Sequence, residues 1–169
     1  MDFKKLIPDF SAFGRTNWAK PCINKNDKNW LIAAGLVVLM LVFVFLPWCS
    51  VSYTVEGVTS AGSRLGISTW FGIVAFICAI VAAYGVLYEQ KQFVFCASVL
   101  GAFIGLLGIF LWADVTLFAK GNETGKLTSD NLAAAKLAGA SIGHIGAILF
   151  LLASAGSAAW SYLQIKNEK

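Results

Sequence analysis

The chain has 169 residues, of which 58% are hydrophobic and 13% charged, and its mean hydropathy is +0.73. A water-soluble domain carries about 25% charged residues, so the composition argues against a soluble globular domain and for an integral membrane protein. The net charge of +4 would suit nucleic acid, but the basic residues concentrate ahead of the first apolar run, where membrane topology accounts for them, and no nucleic-acid partner is expected.

Uncharged intervals run over 30–55, 65–88, 92–113 and 137–165, and each exceeds the roughly 20 apolar residues that span a bilayer core. The expected fold is therefore an all-α membrane protein, a four-transmembrane-helix bundle over 30–165. Its spans fall at about 30–48, 69–88, 93–117 and 132–163, between a basic tail at 1–29 and a short tail at 166–169.

In the N-terminal tail, Phe3, Leu6, Ile7, Phe10 and Phe13 recur at helical spacing among lysines, which predicts a short amphipathic helix lying in the membrane interface. The first span is rich in Leu, Val and Phe and stops at Leu46-Pro47-Trp48. Beyond it Val51, Tyr53 and Val55 alternate with polar residues, with turns through Glu56-Gly57 and again near Ala61-Gly62. That pattern predicts a small β-hairpin-like outer loop between helices one and two. The second span carries Ala75, Ala79 and Ala83 on one stripe, and the link at 89–92 is short enough to force an antiparallel neighbour.

The third span places Ala97, Gly101 and Gly105 at four-residue intervals, with Gly108 on the adjoining turn, a close-packing signal of the small-xxx-small type. A loop at 118–130 follows, and Thr128-Ser129-Asp130 offers an N-cap for the fourth span. Read as one helix, that span stacks Gly139, Gly143 and Ala147 on one stripe. It is the element around which the others are expected to pack. The halves are faintly alike, ending their first helices in Phe45-Leu46-Pro47-Trp48 and Phe110-Leu111-Trp112, a similarity that an aromatic belt alone would produce.

Lys and Arg number nine in the two tails and the 89–92 link and four in the other two loops, which predicts cytoplasmic termini. With four spans Trp18, Trp30 and Trp160 fall at the inner interface and Trp48, Trp70 and Trp112 at the outer one, the pattern of aromatic belts.

His144 is the only histidine and the only titratable side chain well inside a predicted span, which makes it a polar intramembrane site by default. Asp114 is its nearest obvious partner, but helical rise leaves about 9 Å of vertical offset between them. The expected partner of His144 is a backbone carbonyl or hydroxyl across a close contact. Cys22, Cys49, Cys78 and Cys96 show no metal-ligand or redox spacing. Paired cysteines, a second histidine, a nucleophile with its base and a Gly-rich phosphate loop after a strand are likewise missing from the pattern. No catalysis, metal or cofactor is expected.

Through Leu46-Pro47-Trp48, the short Gly-containing loop after it and Gly72 in the second span, the chain resembles a group of small, mostly uncharacterised four-span bacterial membrane proteins. The resemblance covers mainly residues 30–90; it implies a bacterial inner-membrane, multi-pass setting and no activity. Claudin-like tetraspans share the layout of four spans with a β-structured first outer loop, but their Trp, Gly-Leu-Trp and paired-Cys pattern is missing, and their function is not carried over. The expectation is a non-enzymatic accessory or scaffold subunit in contact with lipid and with other membrane subunits or copies of itself. The alternative is an oligomeric pore or transport component.

Overall fold

The structure, a computed structural model, describes residues 6–8, 27–110, 114–128 and 130–167. The expected amphipathic tail helix, Trp18, Cys22 and Trp112 lie outside the described residues, except that Leu6 sits against Cys96, whose thiol donates to its carbonyl at 3.4 Å.

In chain order the elements are α1 (Lys28–Phe43), β1 (Pro47–Val55), β2 (Val58–Leu65), a 3-10 turn (Gly66–Ser68), α2 (Trp70–Leu87) and α3 (Lys91–Phe110). There follow β3 (Val115–Ala119), β4 (Asn122–Leu127), α4 (Leu132–Leu137), β5 (Ser141–Gly143) and α5 (Ile145–Asn167). The five strands form one antiparallel sheet in the order β4-β3-β2-β1-β5. This overturns the expected all-α four-helix bundle: the protein mixes α and β. Helices α2, α3 and α5 are long and apolar enough to cross a membrane, while α1 is apolar but only 16 residues long.

Three of the four expected spans end or break where strands begin, each for a local reason. Helix α1 stops at Phe43, because Pro47 has no N–H to continue the ladder and the last carbonyls are taken elsewhere: Gly66 N–H donates to Leu46 O and Ile67 N–H to Val44 O, both at 3.0 Å. Helix α3 ends at Phe110, and 115–117, counted in the third span, belong to β3 together with the first two residues of the expected loop. The fourth span divides into α4, β5 and α5. Gly139 at φ +87° closes α4, with Ala140 N–H on Ala135 O and Gly139 N–H on Lys136 O, the paired bonds of a Schellman motif. Asn131, rather than the 128–130 triplet, precedes the first helical residue, and its amide brackets the turn through Thr128 N and Lys126 O.

The expected outer hairpin is present as β1–β2. Its two-residue turn has Glu56 at φ +48° and Gly57 at φ +79°, the positive pair that a type I′ turn needs to match strand twist. Ala61-Gly62 is not a turn; both residues lie inside β2. A Cβ on Gly62 would overlap the Thr116 carbonyl, so this glycine admits the close passage of β3. A second hairpin, expected as loop, joins β3 to β4 through Lys120 and Gly121, again both at positive φ. Each half of the chain thus runs helix, hairpin, return helix, the second with α4 and β5 interposed.

The helices bury two apolar clusters, one of Val37, Ala82, Val86, Val94 and Ala97 and a larger one in which Met40, Val44, Ala75, Ala79, Ala147 and Phe150 are fully buried. At its sheet end sits Trp48, 2% exposed and therefore a core residue rather than part of an interfacial belt. Its Nε1–H donates to the Phe43 carbonyl at 3.0 Å, satisfying one of the orphan acceptors at the end of α1, and its ring lies tilted at 47° against Phe150 with centroids 5.4 Å apart. Three glycines from three elements make the room. A Cβ on Gly108 would come within 2.7 Å of the ring and one on Gly146 within 2.8 Å, while one on Gly66 would overlap the indole nitrogen. By contrast Trp70, at the start of α2, is 81% exposed.

Where the 3-10 turn meets α2, Thr69 donates its hydroxyl to Gly66 O at 2.8 Å and accepts the Gly72 N–H at 3.0 Å, an N-cap that also sets the turn. A Cβ on Gly72 would fall onto the Gly66 carbonyl, whereas one on Gly35 of α1 would meet nothing within 4 Å. Gly72→Ala is expected to destabilise the folded protein at or above the upper end of the roughly 1–3 kcal/mol seen for overpacking, with Gly35→Ala neutral or stabilising. Thermal unfolding in detergent checks the pair, and equal behaviour of the two variants would disprove this packing.

Candidate functional site

The six expected packing residues do not form one interface. Ala97, Gly101 and Gly105 do line the buried stripe of α3, and it faces α5. A Cβ on Gly101 would lie 3.2 Å from Ser154 Oγ and 3.3 Å from Met40 Cε, and one on Gly105 would lie 3.2 Å from the Leu151 backbone. Of the other three, only Ala147 is helical and buried, in the first turn of α5. Gly139 is in the turn after α4 and Gly143 in β5. The expected glycine stripe on a fourth helix is therefore absent, because its two glycines serve a turn and a strand.

The α3–α5 seam also holds polar groups. Ser98 and Ser157 share a hydroxyl bond at 2.8 Å, and Ser161 Oγ donates to Ser157 O at 2.8 Å. Ser154, fully buried one turn away, has no hydrogen-bond partner for its hydroxyl among the described residues. Interhelical hydroxyl bonds of this kind fix register in an apolar environment at a gain of about 0.6 kcal/mol each.

His144 stands between β5 and α5 rather than inside a long helix. Its Nδ1 lies 3.1 Å from the Trp48 carbonyl, and since a carbonyl only accepts, Nδ1 carries the proton. A backbone carbonyl is the partner expected from sequence. The His144 carbonyl accepts from Ile148 N–H at 3.0 Å and so opens α5. Asp114 is exposed at the head of β3, where its backbone oxygen accepts Arg64 Nη1 at 2.8 Å. Arg64 also holds Ser68 O at 3.2 Å, so this cation staples β2 to both neighbouring chain segments.

The feature that sequence reading missed is the sheet's two-faced character. Cys49, Val51, Val115, Leu117 and Leu127 form a buried cluster on one face, with Ala135, Ala140 and Ile142 packed against it. The register places Ser50, Ser63 and Gly143 in one row of the other face and Ser52, Ala61 and Ser141 in the next, because directly opposed residues share a face. That face is open: a concavity of about 660 Å³ lies over these short side chains, with Phe118, half exposed, beside it. The alternation of Ser with Val over 50–52 signals such a face for one strand; its width came only from β5 and β3.

Among the described residues, no group of three or more His, Cys, Asp or Glu side chains could hold a metal ion. No protein-family model matches the chain, and no curated protein and no solved structure gives a significant match.

Two outcomes test these assignments. His144→Ala removes one bond to a half-buried carbonyl and is expected to cost about 1 kcal/mol; His144→Asn keeps an N–H donor and should recover most of it, as read by unfolding in detergent. Cys49 is 4% exposed, and burial pushes its thiol up to about 11. Only the thiolate is nucleophilic, and a raised value keeps it scarce until the pH approaches 11. A maleimide near pH 7 should therefore label Cys49 slowly in the folded protein and readily after denaturation; fast labelling of the native state would contradict its burial.

Proposed function

We propose that the chain is a non-enzymatic, multi-pass protein of the cell membrane that works by association, as an accessory or scaffold subunit of a larger membrane assembly. In this reading α1 crosses the membrane with α2, α3 and α5, both termini are cytoplasmic, and the sheet stands on the opposite side, as the excess of basic residues in the tails supports. The observation that carries the proposal is the open sheet face. Its serine, glycine and alanine floor lets another backbone approach closely and offers it hydroxyl partners, and exposed Phe118 gives an apolar anchor. An extended segment of another membrane subunit fits that chemistry.

The pore alternative draws less support. The small faces of α3 and α5 are consumed inside one copy, and the outward side chains include Val38, Val42, Ile77, Phe103, Leu106 and Leu152, which suit lipid and would not solvate an ion.

The mass and composition of the particle extracted in mild detergent test this. Unlike chains are expected, and Ala61→Arg, an exposed substitution on the groove floor, should release them while leaving thermal stability within about 0.5 kcal/mol. A lone copy would refute association, and a ring of identical copies would replace it with the pore.

A further inference from the structure

At the end of the helices remote from the sheet, the first turn of α1, the last turn of α2, the first turns of α3 and the last turns of α5 leave a cleft with two lobes. The inner lobe, about 140 Å³, is walled by Trp30 and Trp160 and carries Asp27, Glu89, Ser161 and Gln164. The outer lobe, about 180 Å³, lies against Gln90, Gln92 and Ile165. Glu89 and Lys91 border both.

The walls are fixed. Trp30 Nε1–H donates to Val86 O at 3.2 Å and Trp160 Nε1–H to Asn29 O at 3.3 Å, so each indole is tied across to another helix. The acceptors retain capacity. Asp27 caps α1 through Oδ1, which takes the Asn29 N–H at 2.9 Å, but an ionised carboxylate has about four lone-pair sites. Ser161 spends its proton on Ser157 O, which leaves its oxygen only lone pairs to offer. The indole rings suit any cation, and the carboxylates and hydroxyl lone pairs favour one with N–H donors. Lys91, at the junction of the lobes, supplies the opposite charge. The inner lobe has room for several waters and so for an aminoethyl group.

Glu89 is held in place by the helix stop. It occupies the left-handed region at φ +54°, where it closes α2 with Glu89 N–H on Val86 O and Gln90 N–H on Gly85 O. Glycine is the usual residue at that position, so Glu89 sits there at a conformational cost that a glycine would not bear.

We propose that this cleft binds the headgroup of a phospholipid of the phosphoethanolamine class, its primary ammonium among Asp27, Glu89 and the two tryptophans and its phosphate beside Lys91. The assignment rests on the reading that the helices cross a membrane, since that places the cleft at the level of lipid headgroups. A trimethylammonium group has no N–H to give the carboxylates, and a glycerol headgroup has no cation, so the site discriminates among common lipids.

The test uses the full chain, delipidated in detergent, with thermal shift and native mass spectrometry read against added lipid. Short-chain phosphatidylethanolamine is expected to bind about tenfold more tightly than phosphatidylcholine or phosphatidylglycerol of equal chain length, the gain of the ammonium–carboxylate hydrogen bonds. Glu89→Gln should abolish the preference. Glu89→Gly should abolish it while raising the melting temperature of the lipid-free protein, which separates loss of the site from loss of the fold. Equal binding of the three lipids, or a preference that survives in both variants, overturns the proposal. Soluble O-phosphoethanolamine matching the lipid in potency overturns the lipid assignment. If the membrane reading itself were wrong the protein would fail to insert into bilayers at all, whereas failure of the site alone leaves insertion intact.

Discussion

Burial of Trp48 is the constraint on which the architecture turns. An indole brings a large apolar surface and one N–H that must find an acceptor. Here the acceptor is a carbonyl that the end of α1 leaves unpaired, and the space comes from Gly66, Gly108 and Gly146. The same residue is the second of β1, and its carbonyl accepts from His144 at the start of α5. One side chain with its backbone therefore joins α1, α3, α5 and the sheet.

Away from that joint the helices meet by a mode of contact that also works in lipid. Apolar burial gains little when the surrounding solvent is itself hydrocarbon, so contact depends on close approach and on hydroxyl bonds. The α3–α5 seam has both, in Gly101 and Gly105 and in the Ser98–Ser157 pair. The outward faces keep Ile, Leu, Val and Phe. The close-packing stripe read from sequence on the third span is thus used at this seam, and the open surface of small residues is that of the sheet instead.

The two hairpins put that surface on a firm base. Both use two-residue turns with positive φ, which impose register without help from neighbours, and the buried side of the sheet has its own apolar cluster, with Ala135 of α4 packed against it. An open face made of short hydroxyl side chains is then presented by a layer that is itself packed. At the far end, the tryptophans and acidic groups meet where four helix ends converge, so the chain has distinct chemistry at its two poles.

Local signals in the chain were enough for much of this. The apolar intervals identified the long helices, α2 to within a residue at each end, because length and hydropathy act through the backbone of a single segment. The alternation around Val51 and the Glu56-Gly57 pair specified the first hairpin for the same reason. Gly139 after Lys136 and Leu137 was a readable helix stop, overridden by the uninterrupted apolar run in which it sits. What sequence alone did not contain was β5: three residues, Ser141–Gly143, become a strand only by pairing with β1, some 93 positions away. Likewise Trp48 looks like any interfacial tryptophan until Gly66, Gly108 and Gly146 are brought around it. Hydropathy cannot distinguish an apolar segment that enters lipid from one that another part of the same protein covers, and only the tertiary structure supplies the cover.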